Sequence, residues 1–235
     1  MFAGVVNDKR LYTVPDLLHR LETKQEKLSP VEAAFEVSYD LLTELLRERW
    51  CQLAVFPGSF DLPAAVAVWE TTQEASLEHL QALVNASLLE WNEVSNRFSL
   101  HDLCRQFCDG KIGPAERTTA QQQHGVHYCE VLATANRLYL KGNAGVLRGL
   151  ALFDTERLNI ETCHDWATSR SNKDSRVAQQ CVARLGTTVY VTRLRLHPRQ
   201  TIVWMEAAVA AAKRLGNRRA AFRSEERRVG KECRS

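Results

Sequence analysis

Apolar positions recur at three- and four-residue intervals along most of the chain. Phe35, Tyr39, Leu42 and Leu46 predict one helix with a single buried face. Ser29-Pro30-Val31-Glu32 supplies its start: a serine cap, proline at the first helical position and glutamate three after the cap. Before it, residues 11–28 read as a short polar helix after Pro15. Pro57-Gly58 marks a turn. Asp61 then caps a short helix running to Trp69, with Pro63 tolerated in the first turn. "SLEHLQALVNAS" predicts another helix with Leu77, Leu80, Leu83 and Val84 on one side. At that point the period changes. "LLEW" and "RFSL" flank the polar run "NEVSN", which predicts a hairpin of two short strands around a five-residue loop. A helix starts immediately afterwards, at His101.

Helix, helix, helix, hairpin, helix over residues 31–110 is the order of a winged-helix domain. Beyond Gly113-Pro114 the hairpin signals stop, and residues 115–141, 149–169, 175–194 and 199–215 each read as helices. Breaks fall at Gly142-Asn143, Ser171-Asn172-Lys173 and His197-Pro198. In the last helix Trp204, Ala208, Ala211 and Leu215 follow one face, and its alanines permit close packing, as in the first helix of a tetratricopeptide unit. The expected fold is mostly α: the end of an upstream helical domain (1–28), a winged-helix domain with one small β-hairpin (29–113), and an α-helical repeat-like region of tetratricopeptide type (114–222). Residues 223–235 are charged, have no apolar face, and read as a non-native or disordered tail.

Composition changes this picture little. Hydrophobic content of 45 % and charged content of 25 % suit an ordinary globular protein. No window approaches a membrane span, and "MFAGVVNDKR" lacks the basic start of a signal peptide. The net charge of +3 falls to +1 without the last 13 residues, which hold five basic and three acidic groups, so a general attraction to nucleic acid is not implied. Seven cysteines, an odd number with no CxxC pair, read as reduced thiols in a cytoplasmic protein.

The candidate chemistry sits at the start of the helix after the hairpin. With Ser99 as cap and Asp102 three residues on, His101 takes the second helical position, among free N–H groups and the positive dipole end. That setting disfavours imidazolium and suits an anion supplied from outside. The alternative is an exposed turn residue, with Asp102 only a dipole partner. His101, Cys104 and Cys108, with His124, His127 and Cys129, do not give the tight ligand pairs of structural zinc; Cys104 and Cys108 read as small core residues. No metal ligands and no catalytic residues are assigned: there is no G-x-S-x-G, and Glu156 and Asp165 are nine apart in a helical stretch. Trp69, Trp91, Trp166 and Trp204 read as core packing. From Trp50 to Asn96 there is no Lys or Arg but six acids, Asp61, Glu70, Glu74, Glu78, Glu90 and Glu93, a poor surface for DNA phosphates.

"SPVEAAFEVSYDLL", "LAVFPGSFDLPAAVAVW" and "RFSLHDLCRQF" together resemble the winged-helix region of STAND signalling ATPases, the NB-ARC family. "HYCEVLATANRLY", "LFDTERLNIETCHDWA" and "WMEAAVAAAKRLGNRR" resemble the helical segment that joins it to tetratricopeptide repeats in bacterial members. The resemblance covers about residues 10–222. It implies that the winged helix closes over a nucleotide held by an upstream P-loop domain. It also implies that the histidine of a Met-His-Asp motif contacts the β-phosphate of ADP. Here the triplet is Leu100-His101-Asp102, with the methionine replaced. His101 is thus the expected ADP phosphate sensor and Asp102 its support, whose loss loosens the latch. No G-x-x-x-x-G-K-[ST] occurs in the chain. ADP or ATP is therefore expected to belong to a full-length parent, with no tight binding and no enzymatic activity in this chain alone. The expected partners are the upstream nucleotide-binding domain of the same protein and a protein bound by the helical region. A DNA-binding winged-helix transcriptional regulator and a plain tetratricopeptide-type scaffold remain as other readings.

Overall fold

The computed structural model describes residues 13–25, 30–171 and 176–216, which divide between two compact units, 1–120 and 121–235. The Ser29 cap and the tail from 223 lie outside the described residues.

In the first unit, α1 (Val14–Gln25) packs on α2 (Pro30–Leu41). Lys24 of α1 pairs with Glu36 and Asp40 of α2. The single helix expected through Leu46 is broken: α2 ends at Leu41 and α3 (Glu44–Gln52) starts afresh. Thr43 adopts an extended conformation, and its hydroxyl accepts from the Leu46 N–H at 3.3 Å, which makes it a cap. The carbonyls released at the end of α2 are taken up by Arg47, whose guanidinium donates to Tyr39 O and Asp40 O at 2.7 and 2.6 Å.

A 3-10 turn (Leu53–Val55) leads to the Pro57-Gly58 bend and then α4 (Leu62–Trp69), where Asp61 Oδ1 accepts from the Ala64 N–H at 3.0 Å as the sequence predicts. The next helix, α5 (Gln73–Asn85), starts three residues earlier than expected because Thr72 caps it. Leu80 and Leu83 are buried, whereas Leu77 is exposed. The hairpin pairs β1 (Glu90–Asn92) with β2 (Arg97–Ser99). Asn92 is in the strand, so the loop has four residues rather than five. Asn92 Oδ1 holds that loop by accepting from the Ser95 N–H, and Asn96 turns it with φ of 55°. Phe60 adds a second short pairing, exchanging both backbone hydrogen bonds with Phe98 at 2.8 Å. α6 (Asp102–Lys111) follows.

Aromatic rings fill this unit. Phe107 of α6 packs against Phe35, Tyr39 and Trp50, with centroids 5.6 to 5.9 Å away. Phe56, Phe60 and Phe98 continue the series, and Trp91 lies 4.5 Å from Phe98. Trp91 is nonetheless 41 % exposed, because β1 is an edge strand and the ring covers Phe98 from outside; it is not the core residue its apolar neighbours suggest. Trp69 is buried and exchanges hydrogen bonds with Arg49: its indole donates to Arg49 O, and the guanidinium donates to Trp69 O.

α7 (Pro114–Leu140) runs into the second unit. Gly142 and Asn143, both at positive φ, turn the chain into α8 (Ala144–Ser171), which begins five residues before the predicted start. Small residues allow close approach: a Cβ at Gly149 would lie 2.4 Å from Ala135 O. The helix expected over 175–194 is two helices, α9 (Arg176–Leu185) and α10 (Val189–Arg195). Gly186 and two threonines interrupt it, and Asn136 Oδ1 of α7 accepts from the Tyr190 N–H at the new start. The last helix, α11 (Pro198–Arg214), follows His197 and packs against α9. Among the described residues no helix is long and apolar enough to cross a membrane.

Candidate functional site

Leu100 ends the hairpin in the core, and the chain reverses immediately into α6. Ser99 is not the cap. It belongs to β2, and its hydroxyl donates to Glu90 Oε2 across the hairpin. His101 itself takes the cap position, with φ of −59° and ψ of 144°, and its ring Nδ1 accepts from the Leu103 N–H at 3.3 Å. The imidazole thus supplies the acceptor that serine or aspartate normally supplies at a helix start. This use fixes the tautomer. A neutral ring whose Nδ1 accepts carries its proton on Nε2, so one donor remains, on an exposed side chain at the helix tip.

Asp102 is the first helical residue, and its carboxylate, 75 % exposed, pairs with Arg105 at 2.5 Å. Arg105 also donates to Pro57 O at 3.0 Å. On the other side of His101, Arg97 donates from Nε to Ser59 Oγ at 2.8 Å and from Nη2 to Ser59 O at 2.7 Å. The Pro57–Ser59 bend, the start of β2 and the first turn of α6 therefore form one hydrogen-bonded assembly. Sequence reasoning finds His101 and Asp102 but misses both arginines. Their spacing of four on either side of His101 was visible; their common target, a bend some forty residues earlier, was not.

His101 has a counterpart. His197 caps α11 with φ of −61° and ψ of 142°, and its Nδ1 accepts from the Arg199 N–H at 3.2 Å. The cap geometry is thus a local property of histidine before a helix. What sets His101 apart is its surroundings: the Asp102–Arg105 pair and the arginine-gripped bend.

Cys104 and Cys108 are buried on the core side of α6, and burial pushes both thiols up. Among the described residues, no three His, Cys, Asp or Glu side chains are arranged to hold a metal ion. In the second unit His124 is buried beside Asn159, whose amide donates to Glu156 Oε2 at 3.1 Å. His164 is stacked on Trp204 at 4.1 Å with the rings 6° apart. Trp204 is buried as expected, whereas Trp166 is half-buried and covers Gly125, where a Cβ would meet its ring at 2.4 Å. The exposed side of α5 presents Glu74 and Glu78 and no basic residue.

No family model matches the chain, and no curated protein matches it significantly. Among solved structures it is similar to a signal transduction ATPase with numerous domains (STAND) protein with a tetratricopeptide repeat sensor, from Pyrococcus horikoshii. The identity is 13 % and the TM-score 0.34, over 92 % of this chain and 40 % of that one. The chain thus spans two fifths of the length of that protein, and a TM-score of this size does not amount to a shared fold.

Proposed function

We propose that this chain is a regulatory part of a STAND-type ATPase, in which residues 29–113 form a winged-helix latch and residues 114–222 a helical, partner-sensing region of tetratricopeptide type. The observation that carries the reading is the His101 ring. Its Nδ1 is consumed by the cap, and the remaining Nε2–H is exposed at the positively polarised end of α6. An anion completes such a site, and the diphosphate of ADP held by a neighbouring P-loop domain is the anion the sequence phrases imply. Asp102, paired with Arg105, keeps the first turn in place. The order of elements from α3 to α6, with the Phe60–Phe98 pairing before α4, supports reading this region as a winged helix. Its acid-bearing α5 argues against DNA as the ligand.

In this reading ADP favours a closed arrangement through its bond to His101. Nucleotide exchange, or a partner on the helical region, shifts the population to an open one. Hydrolysis belongs to the P-loop domain, and this chain contributes no catalytic group. The test is nucleotide retention in the full-length protein, measured on nucleotide released after purification. His101→Ala is expected to lower ADP affinity about tenfold, the loss of one charge-assisted hydrogen bond. His197→Ala, which removes the same kind of cap elsewhere, leaves it unchanged. Unchanged ADP retention in His101→Ala turns the reading toward a helical scaffold with no nucleotide link.

A further inference from the structure

We infer that Arg97 and Arg105 form a clamp that positions the His101 imidazole, with Arg105 the decisive member. For its consequence at nucleotide the inference rests on the latch reading above; for its geometry it does not. Each arginine lies four residues from His101, one on β2 and one on α6, and both reach the same bend. Arg97 grips Ser59 through two donors. Arg105 makes three connections at once: its backbone N–H donates to His101 O at 2.9 Å, one guanidinium nitrogen donates to Pro57 O at 3.0 Å, and another meets Asp102 Oδ1 at 2.5 Å.

Pro57 and Gly58 offer no polar side chain, so the bend is held through the Pro57 and Ser59 carbonyls and the Ser59 hydroxyl. Phe60 is fixed to Phe98 by the paired backbone bonds, and the stacked Phe56 and Phe60 rings, 4.1 Å apart, lie at the two ends of the bend. The bend is therefore a rigid platform, and Arg105 fastens the first turn of α6 to it. Histidine supplies the cap locally, as at His197, where Pro198 presets the first turn; α6 has no such proline, and Arg105 is what holds its first turn, and with it the His101 ring, against the bend. A guanidinium suits this task because its fork satisfies a carboxylate and a carbonyl together; a lysine ammonium can reach one or the other but not hold both in fixed directions. The Arg105 guanidinium is engaged with Pro57 O and Asp102, so it acts on His101 through the first turn, as a positioning residue.

The test has a spectroscopic arm and a nucleotide arm. In the first, ring-nitrogen NMR of this chain is recorded well above the ordinary imidazole range, about pH 8. The wild type is expected to show His101 with bare Nδ1 and protonated Nε2. Arg105→Ala and the charge-keeping Arg105→Lys both move its signals toward tautomer averaging, while His197 stays unchanged. The lysine variant answers the question if the alanine variant fails to fold. In the second arm, Arg105→Ala lowers ADP affinity of the full-length protein several-fold but adds nothing in a His101→Ala background. A His101 signature unaltered in the folded variants, or a further loss in the double variant equal to that in the single, overturns the clamp. ADP retention indifferent to His101→Ala overturns the latch instead, and the tautomer result still decides the positioning role.

Discussion

The two units solve the problem of register by opposite means. Among the described residues the first unit buries two polar side chains, Gln52 and Ser76, and the second buries ten, including His124, Glu156, Asn159 and His164. The first is made of short helices joined by tight turns. Thr43, Asp61, Thr72 and His101 each cap their own helix, and large rings of irregular shape pack between them. The second is built on the 28-residue α8 and on the greater part of the 27-residue α7, along which apolar packing alone permits sliding by a turn. Polar pairs at particular depths, together with glycines where backbones touch, remove that freedom, at a cost in desolvation. The candidate site at His101 thus lies in the unit whose described helix starts are individually capped.

The comparison is broken most severely by attacking each device. Trp50 is fully buried and donates to Leu88 O at 3.2 Å. Trp50→Ala is expected to destabilise the first unit by about 4 kcal/mol, from the cavity and the orphaned carbonyl. The corresponding lesion in the second unit is an addition. Gly149→Ala would improve helix propensity by about 1 kcal/mol. Its methyl, however, would sit 2.4 Å from Ala135 O and 2.8 Å from Tyr139 N, both backbone atoms that cannot turn aside. A net loss of about 3 kcal/mol is expected. Urea unfolding measured for both variants checks the pair; a neutral Gly149→Ala would mean that α7 and α8 are not held at contact distance.

The polar interior also predicts acid sensitivity. Burial holds His124 down to about 3, against a small upward contribution from Asn159, and burial lowers His164 as well. Between the ordinary value near 6.5 and about 3, the unfolded chain binds a proton at His124 that the folded chain refuses. Stability from this group is therefore complete above about pH 6.5 and is lost as pH falls, with a slope of about 1.4 kcal/mol per unit. Roughly 2 kcal/mol should be gone by about pH 5. In the first unit His79 is lowered in the same direction but is only partly buried, so its slope is smaller. Amide exchange at pH 7 and 5 is expected to show α7 and α8 losing protection first. His124→Asn, less stable throughout, flattens the dependence; an unchanged slope in that variant would place the acid sensitivity elsewhere.

What could be read from the sequence follows the same division. Devices confined to a few residues were legible: the Asp61 cap, the Pro57-Gly58 bend, the hairpin and the turn at Gly142-Asn143 all stand where expected. Devices that join distant segments were not. The helical spacing of Tyr39, Leu42 and Leu46 passes unbroken through the end of α2, because Thr43 looks like an interior residue until Arg47 is seen collecting the freed carbonyls. The break before α10 depends on Asn136, fifty-four residues away. At the candidate site the polar residues of the motif are legible, while the cap lies at His101, two residues beyond the serine that cap preference points to.

The smallest expected effect gives the sharpest version of the comparison. His101 and His197 have the same backbone angles within a few degrees, and each donates nothing to the helix but accepts one N–H through Nδ1. As caps they are equivalent, so His101→Ala and His197→Ala should each cost about 0.5 to 1 kcal/mol in thermal or urea unfolding, and the two costs should agree within error. Asparagine, a good cap with no imidazole, should restore most of that stability at both positions. Only at position 101 does the latch reading require something asparagine does not bring, a donor carried on a ring at the distance of Nε2. His101→Asn should therefore separate the two roles in one protein: unfolding close to wild type, ADP retention close to His101→Ala. Recovery of both by asparagine would reduce His101 to the same plain cap as His197.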